Sequence, residues 1–263
     1  MTDPDRAGLA RDLIAALGPA AEAARSADVR IGLGYTAVRL QDGQLGVAYT
    51  FRDQARGGCA AFGGLRPLAP RPAADLLALL ESEDAIEAAV GLACANALAN
   101  RARTDWLEGD VLDALDLRPE DHVGMIGNFG PLVSALRGRV QSLSVFERIE
   151  HPSGLLRPQR EAPVVLPRCQ IALITATALI THSIEPLLEA AAACREVVVL
   201  GPSTPLVPAL FAARGVTLLS GVAVGDPEGV LRVVSEGGGM RQFRPHVRKV
   251  TLRVRDPGDA TRT

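Results

Sequence analysis

The stretch Asp121–Glu150, DHVGMIGNFGPLVSALRGRVQSLSVFERIE, decides the fold because it predicts a strand, a turn, a helix and a second strand in succession. His122–Ile126 is a short apolar run, which is typical of a buried strand. Glycines and Pro131 follow, and proline is favoured in the first turn of a helix. Gln141–Phe146 predicts the second strand, with Glu147 at its carboxyl end. This order indicates the first half of a Rossmann-like domain.

The glycine-rich turn after the first strand predicts a ligand site. Gly127, Asn128 and Phe129 form this turn, and glycine lets a ligand approach the backbone closely. Glu147 stands where a dinucleotide-binding fold places the acid that binds ribose. The glycine spacing differs from G-x-G-x-x-G, and Phe129 would crowd a pyrophosphate. A Rossmann-type enzyme that uses S-adenosylmethionine or NAD(P) is therefore the alternative, and a structural turn that binds nothing is the plainest interpretation.

Polar residues also follow two later predicted strands. Thr175 and Thr177 end the strand QIALIT, and the segment 201–204 follows the strand EVVVL. Because the carboxyl ends of parallel strands meet at one edge of a sheet, we expect these residues to converge. The predicted ligand-binding residues at this edge are Gly127, Asn128, Phe129, Glu147, Thr175, Thr177, Gly201, Pro202, Ser203 and Thr204. Each hydroxyl could instead cap a helix, and the set contains no nucleophile–base pair, so catalysis is left open.

Composition limits the classes of partner. The 263 residues are 48% apolar with a net charge of −2, enough for a large core or two domains. Near-neutral charge and 3% aromatic residues argue against a nucleic-acid partner. No apolar run is long enough for a membrane span, and no signal peptide is recognised. The cysteines Cys59, Cys94, Cys169 and Cys194 form no C-x-x-C pair, which favours reduced thiols and a cytoplasmic protein.

The N-terminal third predicts a small α+β unit. A helix over Asp5–Ala24 is expected to end at Gly18-Pro19, and Asp42-Gly43 predicts a hairpin between two of three short strands. Two more helices are predicted over Ala73–Leu80 and Asp84–Asn100. An irregular segment separates the third strand from the first of these two helices. Its residues Arg52, Asp53 and Arg56 could bind an anion, or they could belong to a solvated connection.

Three segments carry a resemblance to a known family: GMIGNFGPLV (124–133), ITATALITHSI (174–184) and VVVLGPSTPLVPALF (197–211). They resemble the family called domain of unknown function 364 (DUF364), which has been associated with heavy-metal chelation. Farther upstream, IGLGYTAV, GVAYTF and GLACANAL resemble its usual partner domain, DUF4213. The resemblance spans roughly residues 25–245. It implies an enolase N-terminal-like α+β domain over residues 1–105, a Rossmann-like domain with a mainly parallel sheet over residues 106–263, and a site in the cleft between them.

The resemblance implies that the protein binds or processes a small polar or metal-chelating ligand in this cleft. It moves Asn96 of GLACANAL from the core toward the cleft. The cofactor would be a heavy-metal ion or a metal chelate. The family commonly has N-x-T where this chain has Thr181-His182-Ser183, so His182 could be a ligand or base specific to this protein, or a surface histidine. Glu147 and His182 are the candidate metal ligands, although no ligand spacing supports them.

A third interpretation is a non-catalytic oligomeric scaffold. The helix segment Gly91–Ala99 is rich in small residues, which allow close helix packing, so it could form the interface of a homo-oligomer.

Overall fold

The computed structural model describes residues 8–55, 60–64 and 66–254, and these form two β-sheets with helices packed around them. Arg56, Cys59 and the first three residues of the helix predicted over Asp5–Ala24 lie outside the described residues. No helix within the described ranges is both long and apolar enough to cross a membrane.

The N-terminal part is a three-stranded antiparallel sheet covered by helices. In chain order its elements are α1 (Leu9–Glu22), β1 (Ser26–Ile31), β2 (Tyr35–Leu40), β3 (Leu45–Tyr49), α2 (Ala73–Leu77) and α3 (Ala85–Ala99). The Asp42-Gly43 hairpin is confirmed: β2 pairs with β3, Gly43 has a φ of +89°, and the Asp42 side chain accepts from the Gln44 N–H at 3.1 Å. A left-handed residue at this turn explains the glycine.

Helix α1 does not end at Gly18-Pro19, as the sequence had predicted. It continues to Glu22 with Pro19 in its last turns. Leu13, Leu17 and Ala21 lie on its buried face. Burial of this apolar stripe on both sides of the proline favours an uninterrupted helix over the break that proline alone would cause.

The C-terminal part is an eight-stranded sheet with the order β4-β11-β10-β9-β8-β5-β6-β7. Its strands are β4 (Leu107–Glu108), β5 (His122–Ile126), β6 (Ser142–Glu147), β7 (Leu156–Pro158), β8 (Ile171–Thr175), β9 (Glu196–Leu200), β10 (Leu218–Val224) and β11 (Val247–Arg253). Its helices are α4 (Gly130–Leu136), α5 (Ala162–Val165), α6 (Ile184–Ala190), α7 (Pro208–Ala212), α8 (Pro227–Ser235) and α9 (Met240–Phe243). Strands β5 to β10 pair in parallel, which confirms the mainly parallel α/β fold.

The strand order contains the switch point of a Rossmann-like sheet. Strand β6 lies on one side of β5 and β8 lies on the other, so the chain winds away from β5 in both directions. A crevice opens at the carboxyl ends of such strands, and ligands bind there in related sheets. The fold therefore directs attention to the residues that follow β5, β6, β8 and β9.

Two short strands of this sheet were not predicted from the sequence. Strand β7, in the proline-containing segment after β6, pairs with β6. Strand β4 pairs with the outer side of β11 at Val250 and Thr251. Both missed strands have three residues or fewer, too few for an alternating pattern to reveal them.

The two parts share one hydrophobic core. The largest buried cluster contains side chains from both α1 and α3 and from the large sheet, including Phe146 and Val199. A second shared cluster joins Ala37 and Val47 to the buried side of α8. The predicted domain boundary between residues 105 and 106 lies in a mostly exposed segment, residues 101–110, but it stays a prediction because residues on both sides of it contribute to one core.

Asn100 ties the end of α3 to the C-terminal part. It is only 8% exposed, and its side-chain N–H group donates to the carbonyl oxygens of Thr204 at 2.9 Å and Val222 at 3.3 Å. Its side-chain oxygen accepts from the Leu206 N–H at 2.8 Å. One buried amide thus satisfies backbone groups on two segments next to the crevice.

Candidate ligand-binding cleft

A cavity of about 380 Å³ lies at the carboxyl ends of β5, β6, β8 and β9. Its other side is formed by the N-terminal part, through the beginning of β2 and the end of β3. The cavity therefore lies between the two parts, at the switch point of the large sheet.

Nine of the predicted site residues line this cavity: Gly127, Asn128, Phe129, Glu147, Thr175, Thr177, Gly201, Pro202 and Ser203. Thr204 is fully buried beneath them, and its hydroxyl donates to the Gly201 carbonyl at 2.8 Å. Asn96 lies apart from the cavity lining, against β3, where its side-chain N–H group donates to the Val47 carbonyl at 2.8 Å. The structure thus keeps Asn96 in the core of the N-terminal part.

Glu147 connects the end of β6 to the glycine-rich turn. One carboxylate oxygen accepts from the Asn128 N–H at 2.6 Å, and the other accepts from the Arg148 N–H at 3.2 Å. Gly127 in the turn has a φ of +90°, a conformation that side chains disfavour. The carboxylate is therefore held in place by backbone groups while it lines the cavity.

The ring of Phe129 packs against two glycines of the cavity wall. A Cβ atom on Gly127 would lie 3.3 Å from this ring, and a Cβ atom on Gly201 would lie 3.6 Å from it. Because Gly201 also has a φ of +111°, both close approach and backbone conformation favour glycine there. An aromatic ring against the turn disfavours a pyrophosphate at this position.

The threonine and serine hydroxyl groups have both roles that the sequence left open, since they form structural hydrogen bonds and also line the cavity. Thr175 accepts from the Thr177 N–H at 3.3 Å and so caps the 3-10 helix Ala176–Leu179, while both threonines line the cavity. The Ser203 hydroxyl accepts from the Tyr49 N–H at 2.9 Å, which bridges the two parts. Capping and lining are thus compatible roles of the same side chains.

Several lining residues were missed by the sequence analysis. Tyr35, Tyr49 and Phe51 come from the N-terminal part, and Arg148 and Gln159 come from the C-terminal part. Other lining residues that had not been assigned to the site are Ile126, Ala178, Thr181, Ser183 and Leu200. One signal for the tyrosines was available: the predicted Asp42-Gly43 hairpin places Tyr35 opposite Tyr49, and paired residues share a face of the sheet.

Tyr35 carries a neutral phenol at ordinary pH. Burial, with a smaller contribution from neighbouring Tyr49, raises the pKa of Tyr35 to about 12. Its hydroxyl is therefore a hydrogen-bond donor and acceptor rather than an anion.

The residues around the cavity do not fit a directly coordinated heavy-metal ion. The described lining contains no histidine or cysteine, and Glu147 is its one carboxylate. Across the residues that the structure describes, no group of three or more His, Cys, Asp or Glu side chains could hold a metal. His182 lies outside the lining, with Nε2 3.0 Å from the Ser82 carbonyl oxygen. Metal roles for Glu147 and His182 stay predictions.

Two of the cysteines are poor metal ligands for a further reason. Burial raises the pKa of both the Cys94 and the Cys194 thiol to about 12, and the neighbouring Cys169 adds to the shift at Cys194. The thiolate is the form that binds metals, and it is disfavoured at these sites.

Comparison with known families now identifies the chain. The profile of DUF364, described as "Putative heavy-metal chelation", matches residues 110–253, more than half of the sequence. The chain belongs to the DUF364 family. The profile of DUF4213, which has the same description, matches residues 14–99. This DUF364 protein therefore has the order of the two segments that the sequence resemblance had indicated.

Relatives of this DUF364 protein support the same architecture. An uncharacterized protein of Methanocaldococcus jannaschii is 24% identical over 238 residues, which cover 86% of this chain and 89% of that protein. A DUF364 protein of unknown function from Desulfitobacterium hafniense has a TM-score of 0.77 at 24% identity, covering 94% of this chain and 98% of its own. One from Pyrococcus horikoshii has a TM-score of 0.82 at 21% identity, covering 93% and 99%. At these identities the structural likeness shows the fold alone.

Proposed function

We propose that this DUF364 protein binds a small polar organic ligand, one able to chelate a metal, in the cleft between its two parts. The observation that carries the proposal is the composition of the cavity. Hydroxyl and amide groups dominate its polar lining, which includes the hydroxyls of Thr175, Thr177 and Ser203, and the described lining contains no imidazole or thiol. Such groups recognise an organic molecule by hydrogen bonds.

This composition reconciles the family description with the absence of a metal-ligand cluster among the described residues. Heavy-metal ions of the soft and borderline type prefer thiolate and imidazole ligands in proteins. Here an organic ligand would supply the metal donors itself, and the protein would bind the organic part. The metal is then cargo, and Glu147 and the hydroxyls contact the compound that carries it.

A thermal-shift titration of metal-stripped protein tests the proposal. The probes are citrate, ferric citrate, and the chloride salts of Ni²⁺ and Zn²⁺ without a chelator. A ligand at 100 times its Kd adds about 2.7 kcal/mol to the free energy of unfolding, which raises Tm by about 5–10 °C in a chain of this size. We expect a shift of this order with citrate or ferric citrate and none with the free ions.

Two glutamate variants show whether a shift comes from the cleft. Glu147→Gln should lose most of the shift, because the carboxylate that accepts from the Asn128 N–H holds the glycine-rich turn of the cleft in place. Glu150→Gln, three residues away on a strongly exposed side chain, is the matched control and should keep it. An equal Tm shift with free metal ions and no chelator, lost in Glu147→Gln, would contradict the proposal and favour direct coordination.

The same assay addresses the alternative functions. A shift with S-adenosylmethionine or NAD(P) alone would favour a Rossmann-type enzyme. The scaffold interpretation has less support, because Gly91 packs against the backbone of Leu80 and α3 is buried along nearly its whole length within one chain. A homo-oligomer, the lack of a nucleic-acid partner and a cytoplasmic location stay predictions.

A further inference from the structure

Aromatic residues are concentrated in the cleft of a chain that has few of them. The sequence contains six phenylalanines, two tyrosines and one tryptophan. Both tyrosines, Tyr35 and Tyr49, line the cavity together with Phe51 and Phe129. A pocket that gathers so large a share of the aromatic side chains offers flat, rigid contact surfaces to a ligand.

Three of these rings form a continuous row in the N-terminal part. The ring centroids of Tyr35 and Tyr49 are 5.8 Å apart, and those of Tyr49 and Phe51 are 5.0 Å apart, both in edge-to-face geometry. Tyr35 also packs at 5.0 Å against Phe243, which is fully buried. The row is therefore anchored in the core at one end and reaches the cavity along its length. Such edge-to-face pairs hold the rings in defined orientations.

Arg148 stands at the other end of this row. Its guanidinium carbon lies 5.2 Å from the centroid of the Phe51 ring, a cation–π contact. Its Nη1 and Nη2 atoms both donate to the uncharged side-chain amide oxygen of Gln54. Within the ranges 8–55, 60–64 and 66–254, no carboxylate forms an ion pair with Arg148, since Glu147 is directed to the backbone of Asn128. A cation without an anionic partner thus lines the cavity.

The two tyrosines add hydrogen-bonding capacity to the same wall. Neither phenolic hydroxyl forms a hydrogen bond with another residue in the described part of the chain. The cavity therefore combines flat aromatic surfaces, a guanidinium that has no carboxylate partner among the described residues, and hydroxyls that bond to no other residue there.

We infer that the ligand is a small aromatic hydroxy acid, with its carboxylate on Arg148, its ring against the Tyr35–Tyr49–Phe51 row and its hydroxyl on Glu147. This inference rests on the proposed function and names the ligand class. A guanidinium binds a carboxylate through two parallel hydrogen bonds, which here would replace those to the neutral Gln54 amide. The Glu147 carboxylate can accept from a hydroxyl. In this pose both oxygens contact the protein, so the compound is bound in its metal-free form. Once released, a hydroxyl beside a carboxylate on one ring forms a two-oxygen chelate, the kind of compound that the proposal requires.

Isothermal titration calorimetry with three matched probes tests the inference. Salicylate carries the ring, the hydroxyl and the charge. Salicylamide keeps the ring and hydroxyl but replaces the carboxylate by a neutral amide. The cis-2-hydroxycyclohexanecarboxylate ion keeps both polar groups on a saturated ring. We expect salicylate to bind with a submillimolar Kd, and each of the other two probes to bind at least about tenfold more weakly.

Variants assign the two recognition features to named side chains. Arg148→Gln should weaken salicylate binding at least about tenfold and leave salicylamide unchanged, since only salicylate has the charge. Phe51→Leu should reduce the preference for salicylate over the saturated acid. Arg139→Gln, at an exposed arginine outside the cavity, is the control and should bind like the unaltered protein.

The outcomes separate this inference from the function on which it rests. Binding of citrate without salicylate, or equal binding of salicylate and its saturated analogue, overturns the aromatic hydroxy acid and leaves the proposed function standing. Equal loss of salicylate and salicylamide in Arg148→Gln also overturns the role given to the guanidinium. If free metal ions bind and none of the organic probes does, both the aromatic hydroxy acid and the proposed function are overturned.

Discussion

Replacing Asn100 by alanine should destabilise the protein by about 3–5 kcal/mol. The substitution removes two short hydrogen bonds, to the Thr204 carbonyl at 2.9 Å and from the Leu206 N–H at 2.8 Å, and a longer one to Val222. All three are buried, so water cannot replace the lost partner without reorganisation. Each unsatisfied buried group costs about 1–3 kcal/mol, and partial relaxation lowers the sum. Total stabilities of about 5–15 kcal/mol are usual, so the loss is large.

Urea denaturation followed by the fluorescence of Trp106, the one tryptophan, measures this cost. Trp106 packs against the core cluster that both parts share, so its emission reports the relevant unfolding. Asn128→Ala, at an exposed asparagine of the glycine turn, is the matched control and should change stability by less than about 0.5 kcal/mol. A loss below about 1 kcal/mol in Asn100→Ala would refute the assignment of Asn100 as a buried connector.

Glycine and cysteine substitutions give the remaining predictions. Gly46→Ala should cost more than about 3 kcal/mol or prevent soluble expression, because its Cβ would lie 2.2 Å from the Ala93 carbonyl oxygen. Gly43→Ala should cost only about 1 kcal/mol, because its φ of +89° is strained for alanine but no atom lies near the added Cβ. Urea denaturation measures both variants, and an equal loss of stability in Gly46→Ala and Gly43→Ala would be inconsistent with the close packing at Gly46. Burial raises the pKa of Cys94 from 9.0 to about 12, so the unfolded chain loses this proton first. Stability should therefore fall as pH rises above about 9, by about 1 kcal/mol at pH 10 for this thiol. The fall in the urea midpoint from pH 8 to pH 10 should be smaller in Cys94→Ala than in the unaltered protein. An equal fall in the two proteins would argue against the raised pKa of Cys94.

The C-terminal part could be predicted from the sequence because its signals are local. The apolar run His122–Ile126, the glycine turn and Pro131 each specify their own conformation, and the parallel topology then brings the ends of several strands to one edge. This is why Glu147, Thr175 and Ser203, far apart in sequence, were correctly expected to meet.

The remaining features depend on contacts that a single stretch of sequence does not encode. Tyr35 and Phe51 reach the cavity only because the small sheet packs against α8 and is hydrogen-bonded to the segment after β9. Asn100 was predicted as the end of a helix, yet its partners lie more than 100 residues away. The helix was predicted to end at Pro19 from the local preference of proline. Burial of the helix turns on both sides of Pro19 outweighs that preference. In each case long-range packing decides the outcome.

The shared hydrophobic core also has a consequence for how fast a ligand enters. Because α8 packs against the small sheet and side chains of both parts interlock, the two walls of the cleft are preorganised. Little conformational free energy would then be lost in assembling the site around a ligand. A ligand would then enter without closure of two bodies around it. Association should accordingly not wait for hinge motion, which is slower than side-chain motion.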